Sequence, residues 1–143
     1  MYEFDGGKIV IKKLINKKSN NIWNESVHKL INNELSVEEF VNINAKKTVF
    51  YSTPFGEDKN GKPQLWILNS ERSNTVCYPV FLSKETCRDF LSAMGRAAFI
   101  IIEGDLKGAL KSLDAHPMLK EFGLVIEPNS NTPIEIGPEI RAK

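Results

Sequence analysis

The clearest pattern of apolar and polar positions lies between residues 79 and 102, and it predicts a strand, a helix and a second strand. Within it, four apolar side chains follow the spacing i, i+3, i+4 and i+7 of one helical face: Cys87, Phe90, Leu91 and Met94. Ser83 is placed to cap this helix, because its hydroxyl can accept a hydrogen bond from a first-turn amide. Gly95 is a natural helix stop, since glycine adopts the left-handed conformation at little cost. The apolar run at residues 97–102 is typical of a buried strand.

Helical spacing predicts further helices on both sides of this segment. One covers residues 21–33, and a second begins at Ser36, where Ser36 and Glu39 have the form of a capping box. Asp105 is placed to cap another helix with a leucine-rich face. Residues 117–122 are predicted to form one last helical turn, because proline suits a first helical position.

Short segments rich in β-branched and aromatic residues predict strands at residues 48–53, 65–68, 75–81, 124–126 and 134–136. Turns separate the first three, so we expect an antiparallel meander. Pro79 favours an edge or bulge position, and a loose alternation at residues 6–14 indicates a further edge strand. The sum is an α+β fold, a mixed and largely antiparallel sheet of five to six strands with helices packed mainly on one face.

Size and composition favour one soluble domain covering residues 1–143, with residues 1–20 as an N-terminal extension. The chain has 143 residues, of which 41% are hydrophobic and 26% are charged, and this suits an ordered globule. Its net charge of +1 argues against a protein that wraps nucleic acid. No apolar segment approaches the roughly 20 residues of a membrane span, and the acidic N-terminus does not resemble a secretory signal. We therefore expect a cytoplasmic protein.

The order of these elements resembles the N-terminal domain of the SseB family, named after enhanced serine sensitivity in enteric bacteria. The resemblance is carried by residues 79–85 with the helix after them, and by residues 123–130 before the closing strand. Upstream, a helix followed by residues 45–54, a strand ending in proline, is similar as well. The match covers residues 21–140.

The chain departs from that family at two positions. Leu82 stands where the family favours threonine, and Glu127 stands where it favours asparagine before proline. The second departure alters the turn, because asparagine can close a turn with its own side chain. The resemblance implies a fold and supplies no catalytic residues. It also implies a place among regulatory or secretion-linked proteins, and small stand-alone versions could serve as immunity proteins for bacterial toxins.

The reactive side chains do not form a recognisable catalytic or metal-binding motif. His28 is predicted on the polar side of its helix, and His116 lies in a loop before proline. Cys87 falls on an apolar stripe, and Cys77 has no basic neighbour that would activate a thiol. Asp105 is predicted to be a helix cap in a strand-to-helix turn and not part of a phosphate site. We predict no catalytic residue, no metal and no cofactor.

Aromatic residues are concentrated in the predicted meander. Because neighbouring strand residues point to opposite faces, Phe50 and Tyr51 cannot both be in the core, so some aromatic surface is predicted to be exposed. Either the N-terminal helices cover this surface, or it binds a partner, since exposed aromatic side chains are enriched at interface hot spots. The predicted partner-binding residues are Tyr51, Trp66 and Tyr78.

The sequence therefore favours a non-enzymatic bacterial protein-binding domain, either regulatory or toxin-neutralising (immunity-type). Its expected partner is another protein, such as a toxin domain, and neither nucleic acid nor a membrane. The alternative is a small-molecule sensing domain, for an amino acid, which would have a closed apolar pocket with a few polar groups. A hydrolase would need an acid–base pair within hydrogen-bond reach. The oligomeric state does not follow from the sequence.

Overall fold

A computed structural model describes residues 22–115 and 117–141, which fall into two compact units. The first ends at Asn44 and the second begins at Ala45. The N-terminal extension and the strand predicted at residues 6–14 lie outside the described residues. The assignment of residues 1–143 to one domain stays a prediction.

The first unit contains two helices, α1 at residues 22–31 and α2 at Val37–Ile43. Trp23 of α1 and Phe40 of α2 are both buried, and their rings meet edge to face with centroids 5.2 Å apart. The predicted helices are confirmed, and this aromatic pair packs them against each other.

Both ends of α2 are capped by side chains. The predicted capping box is confirmed, because Ser36 Oγ accepts from the Glu39 amide while the Glu39 carboxylate accepts from the Ser36 amide. At the other end, the buried Asn44 amide group donates to Ser26 Oγ at 2.9 Å and to the Phe40 carbonyl at 3.0 Å. These bonds satisfy polar groups inside the unit.

The second unit contains eight strands and three α-helices within the described residues. Its elements are β1 Thr48–Tyr51, β2 Phe55–Glu57, β3 Pro63–Leu65, β4 Leu68–Ser70, β5 Thr75–Val80, α3 Lys84–Ala93, β6 Ile102–Asp105, α4 Leu106–Ser112, β7 Gly123–Ile126, β8 Ile134–Ile136 and α5 Pro138–Arg141. Two short 3-10 helices, Leu113–Ala115 and Pro117–Glu121, lie between α4 and β7.

The α+β class is confirmed, but the described strands form three sheets and not the predicted single sheet of five to six strands with helices on one face. β1 pairs with β6, β2 pairs with β3, and the third sheet has the order β4-β5-β7-β8. All pairs are antiparallel except β5 with β7. One bridge between Phe50 and Phe81 joins β1 to the residue after β5.

The predicted meander is wrong at its first strand, because β1 pairs with β6, more than 50 residues later in the chain, with Thr48 opposite Asp105. The strand predicted at residues 65–68 is divided at Trp66 into β3 and β4. The strand predicted at residues 97–102 begins only at Ile102, since the Ala97 amide instead bonds to the Glu57 carbonyl beside β2.

Helix α3 follows its prediction closely. Ser83 Oγ accepts from the Thr86 amide, and Gly95 ends the helix with φ +85°. Cys87, Phe90 and Leu91 are buried in a cluster with Phe81. Met94, the last member of the predicted stripe, is 40% exposed because the helix ends there.

Pro79 lies within β5 and not on an outer strand. It is opposite Val125 of β7 in the parallel ladder. On the other side of β5, pairing with β4 ends at Cys77. Pro79 thus lies beyond the β4 ladder, where a residue without an N–H group is tolerated.

Candidate binding site on the four-stranded sheet

One face of the four-stranded sheet carries a mixture of apolar and polar side chains. The register places Leu68 opposite Cys77, Cys77 opposite Gly123, and Val125 opposite Glu135. Because paired residues share a face and strand residues alternate, these side chains lie on the same face. The alternate positions of β7 and β8 are buried aliphatic residues: Leu124, Ile126, Ile134 and Ile136.

This face is concave. Ser70 on β4 donates a hydrogen bond to Glu135 Oε2 on β8, with the two oxygens 2.5 Å apart. β4 and β8 are the two edge strands, which in a flat sheet would be about 14 Å apart at three strand spacings. A serine and a glutamate side chain do not span that distance, so the sheet curls and brings its edges towards each other.

The concave face holds a pocket of about 270 Å³. Its lining comes from the strands and from the two turns β4–β5 and β7–β8: Leu68, Asn69, Ser70, Glu71, Arg72, Cys77, Val125, Pro128, Pro133 and Glu135. The volume equals the liquid share of about nine water molecules, and it lies just below the range of sites for drug-sized ligands. It suits one long side chain or a small metabolite.

Gly123 brings two strands close together beside this pocket. A Cβ atom at this position would lie 2.7 Å from the Ile136 carbonyl oxygen and 3.6 Å from Cys77 Sγ. The first distance is shorter than van der Waals contact, so a side chain at residue 123 would push β8 away from β7. The Cys77 thiol occupies the space above the glycine.

The electrostatics of the pocket centre on Glu135. Its side chain is half-buried. Burial of the Cys77 thiol, followed by the negative charge of Glu135, raises the pKa of that thiol to about 11. Cys77 is therefore protonated near neutral pH and is a poor nucleophile. Among the described residues, no lysine or arginine forms an ion pair with Glu135.

The three aromatic residues predicted to bind a partner are all buried: Tyr51 is 8% exposed, Trp66 2% and Tyr78 3%. Tyr51 and Tyr78 meet edge to face with centroids 6.1 Å apart, and the Tyr78 hydroxyl donates to the Ser52 carbonyl. The exposed aromatic surface expected from strand alternation is not formed by these three, because each packs inward. Their role in partner binding stays a prediction, and none of them lines the pocket.

Trp66 belongs to a separate centre around the buried Arg96. The Arg96 guanidinium lies over the Trp66 ring at 5.6 Å and donates to the Thr53 carbonyl at 2.8 Å and the Phe55 carbonyl at 2.9 Å. Burial lowers the pKa of Arg96. At Gly56, a Cβ atom would lie 2.6 Å from Arg96 Nε, so glycine makes room for this side chain. The centre joins the loop after α3 to β2.

The other candidate reactive residues have structural surroundings. His28 is exposed on α1, where its Nε2 is 3.1 Å from the side-chain nitrogen Nδ2 of Asn32. Cys87 is buried, and burial, followed by the charge of Glu127, raises its pKa to about 11.

The predicted cap at Asp105 is confirmed by its bond from the Gly108 amide. His116 lies outside the described residues, among which no group of three or more His, Cys, Asp and Glu could hold a metal ion.

Sequence reasoning missed Glu135 as a site residue. The sequence does place it between two isoleucines in a predicted strand, which sets it on the opposite face from a buried pair. The β4–β5 turn at the rim was also predicted. What the sequence did not show is that β5 pairs with β7, which brings the β4–β5 and β7–β8 turns over the same face.

In comparisons with family models, curated proteins and solved structures, the chain had no significant match. The resemblance to the SseB family therefore stays a prediction. Along the stretches that the structure describes, every helix is too short or too polar to cross a membrane.

Proposed function

We propose that this chain is a non-enzymatic binding domain of the bacterial cytoplasm, which holds another protein at the concave face of its four-stranded sheet. The observation that carries the proposal is the pocket between the β4–β5 and β7–β8 turns. Glu71 and Arg72 at its rim are exposed, so a partner surface can reach them while one of its side chains enters the pocket.

The concrete form of this function is a regulatory or toxin-neutralising (immunity-type) protein whose partner is a protein such as a toxin domain. This form rests on the resemblance to the SseB family. The pocket is compatible with it, because interfaces commonly anchor one side chain in a desolvated pocket surrounded by a polar rim.

Binding suits the pocket better than catalysis does. Its thiol holds its proton at neutral pH, since the pKa of Cys77 is raised to about 11. The Ser70–Glu135 pair has the spacing of a nucleophile and a base, but Ser70 Oγ also accepts from the Ser73 amide at 3.3 Å. The hydroxyl thereby fixes the β4–β5 turn and links the edge strands.

The test is capture of a partner with tagged full-length protein and matched variants. Glu71→Trp and Arg72→Trp place bulk at the exposed rim, while Glu121→Trp and Arg88→Trp place it on other exposed positions. We expect a stoichiometric partner with the wild type and both controls, and its loss with both rim variants. The absence of any stoichiometric partner at mild salt would contradict protein binding, and equal capture by all variants would contradict this site.

The pocket volume of about 270 Å³ favours a second candidate, a small-molecule sensing domain for an amino acid. Thermal unfolding against a panel of metabolites tests this candidate. A ligand at 100 times its dissociation constant should add about 2.7 kcal/mol to the free energy of unfolding. A panel without any stabilising compound would argue against sensing.

A further inference from the structure

We infer that the pocket on the concave sheet face takes a cationic aliphatic group, a terminal ammonium or guanidinium on an unbranched carbon chain, and that Glu135 anchors its charge. The inference deepens the proposed function, because it assigns a chemistry to the same pocket. It rests on the charge, the hydrogen bonding and the apolar lining of that pocket.

Glu135 offers an acceptor that the described part of the chain leaves open. Its Oε2 accepts from Ser70, and no described residue donates to its other oxygen. No ion pair with a described lysine or arginine neutralises it. Because the side chain is half-buried, an incoming cation would be screened less by solvent than at an exposed carboxylate.

The remaining lining suits the carbon chain that carries such a cation. Leu68, Val125, Pro128 and Pro133 contribute apolar surface, and the Cys77 thiol is protonated. Lysine and arginine pack their methylene stems on apolar surface while the charged end meets a polar group. In this pocket, the apolar walls would contact the methylene stem and the Glu135 carboxylate would bind the charged end.

Other occupants fit this lining less well. An acidic side chain would meet the charge of Glu135 inside the pocket, since Arg72 lies at the exposed rim beside Glu71. A purely apolar side chain would remove water from Glu135 without replacing its hydrogen bonds, which costs free energy. The charge and the lining together select a cation with an aliphatic stem.

Such a group has two sources, a basic side chain of a protein partner or a free basic amino acid. Arg72 at the rim distinguishes them, because the α-carboxylate of a free amino acid can pair with its guanidinium. A residue inside a peptide has no free carboxylate there. Binding of a peptide-like probe should therefore not depend on Arg72.

The experiment uses the full chain labelled with 15N and two blocked probes, in which the α-amino and α-carboxyl groups are converted to amides. They are N-acetyl-L-lysine N-methylamide and its norleucine analogue. The norleucine probe has the same unbranched stem without the ammonium group. We expect the lysine probe to shift the amide signals of pocket residues, and the norleucine probe to bind at least about tenfold more weakly, as for the loss of one charged hydrogen bond. Equal binding of both probes, or no pocket shifts with either, would overturn the inference.

Glu135→Gln tests the anchor with Glu121→Gln as its control, since Glu121 is exposed and outside the pocket. We expect the lysine probe to lose about tenfold or more in affinity in the first variant and nothing in the second. Unchanged affinity in a folded Glu135→Gln variant would also overturn the inference. If that variant does not fold, the comparison of the two probes on the wild type still decides.

Free L-lysine and the Arg72→Gln variant separate the two sources. Weaker binding of free L-lysine, but not of the blocked probe, in this variant supports the inference with a metabolite as the source. If free L-lysine and the blocked lysine probe both bind this variant as they bind the wild type, the inference is supported with a protein side chain as the source. Rim variants that abolish partner capture while no probe binds leave the proposed function standing and overturn the inference.

Discussion

Glu127 combines an unfavourable backbone conformation with two long-range hydrogen bonds. Its φ of +52° lies in a region that residues with side chains rarely adopt. Its carboxylate accepts from the Leu82 amide at 2.7 Å and from Thr86 Oγ1 at 2.8 Å, at the start of α3. A shorter asparagine would tolerate this backbone conformation better, but its side chain lacks the methylene group by which that of Glu127 extends towards the start of α3.

We expect Glu127→Ala to lower the free energy of unfolding by about 1–3 kcal/mol, because the partly buried Leu82 amide loses its acceptor. Glu127→Gln should cost less, since an amide oxygen can still accept. Urea denaturation measures both changes. Glu121→Ala, at an exposed position, is the control and should stay within about 0.5 kcal/mol of the wild type. A Glu127→Ala change as small as the control would contradict this role.

Arg96 is the second side chain whose removal should be costly. Arg96→Met removes the guanidinium donors to the carbonyls of Thr53 and Phe55, and only the Phe55 carbonyl keeps a bond from Thr53 Oγ1. We expect a loss of about 1–3 kcal/mol in urea denaturation. Arg96→Lys should recover only part of this loss, because an ammonium group cannot reproduce a planar fork of donors. The exposed Arg88→Met is the control. Full recovery in Arg96→Lys would show that charge alone is needed.

The two thiols predict how stability depends on pH at alkaline values. The folded state raises the pKa of Cys77 and Cys87 from an ordinary 9.0 to about 11. Their stabilising contribution is thus fully present below pH 9.0 and is lost as the pH rises towards 11, since the unfolded state releases its thiol protons first. Urea midpoints across this range should fall less steeply in a Cys77→Ala, Cys87→Ala double variant. Parallel slopes in the two proteins would contradict the prediction.

At the scale of elements, the sequence correctly predicted the features that depend on residues close together in the chain. The caps at Ser36, Ser83 and Asp105 depend on residues within three positions, and all three are confirmed. Strand pairing depends on distant segments, and there the prediction failed. The apolar run at residues 97–102 reads as a strand, but Ile100 is 66% exposed, because the run turns towards β2 before β6 begins. The local sequence does not show that residues 97–101 begin beside β2 and do not form a strand.

The candidate site divides in the same way. The β4–β5 turn at its rim was predicted, and Glu135 lies between two isoleucines in a predicted strand. The pocket itself depends on the parallel pairing of β5 with β7 and on the curl of the sheet. Neither follows from periodicity, because both join segments that are far apart in the chain.

The curl of the sheet gives a prediction at this scale. Ser70→Ala removes the bond between the edge strands, and we expect faster amide hydrogen exchange in β4 and β8 with little change in α3. Ser92→Ala, on the exposed side of α3, is the control. Unchanged exchange at the two edges would mean that backbone pairing alone maintains the curl.

At the scale of the whole molecule, the second unit contains its own core and the whole pocket. Its buried cluster around Phe81 and the pocket lining all lie after Ala45. We therefore expect a chain of residues 45–143 to unfold cooperatively and to give dispersed amide signals in NMR. A truncated chain with the spectrum of an unfolded protein would show that the second unit depends on earlier residues.

The bond between Ser70 and Glu135 joins positions 65 residues apart. Parallel pairing of β5 with β7 likewise waits until α3, β6 and α4 have been made, and contacts between such distant segments form slowly. A nascent chain emerging from the ribosome has no such cavity until β8 has been synthesised. The pocket is therefore present only in chains whose synthesis has passed β8, and a half-made copy has nothing there for a ligand to enter.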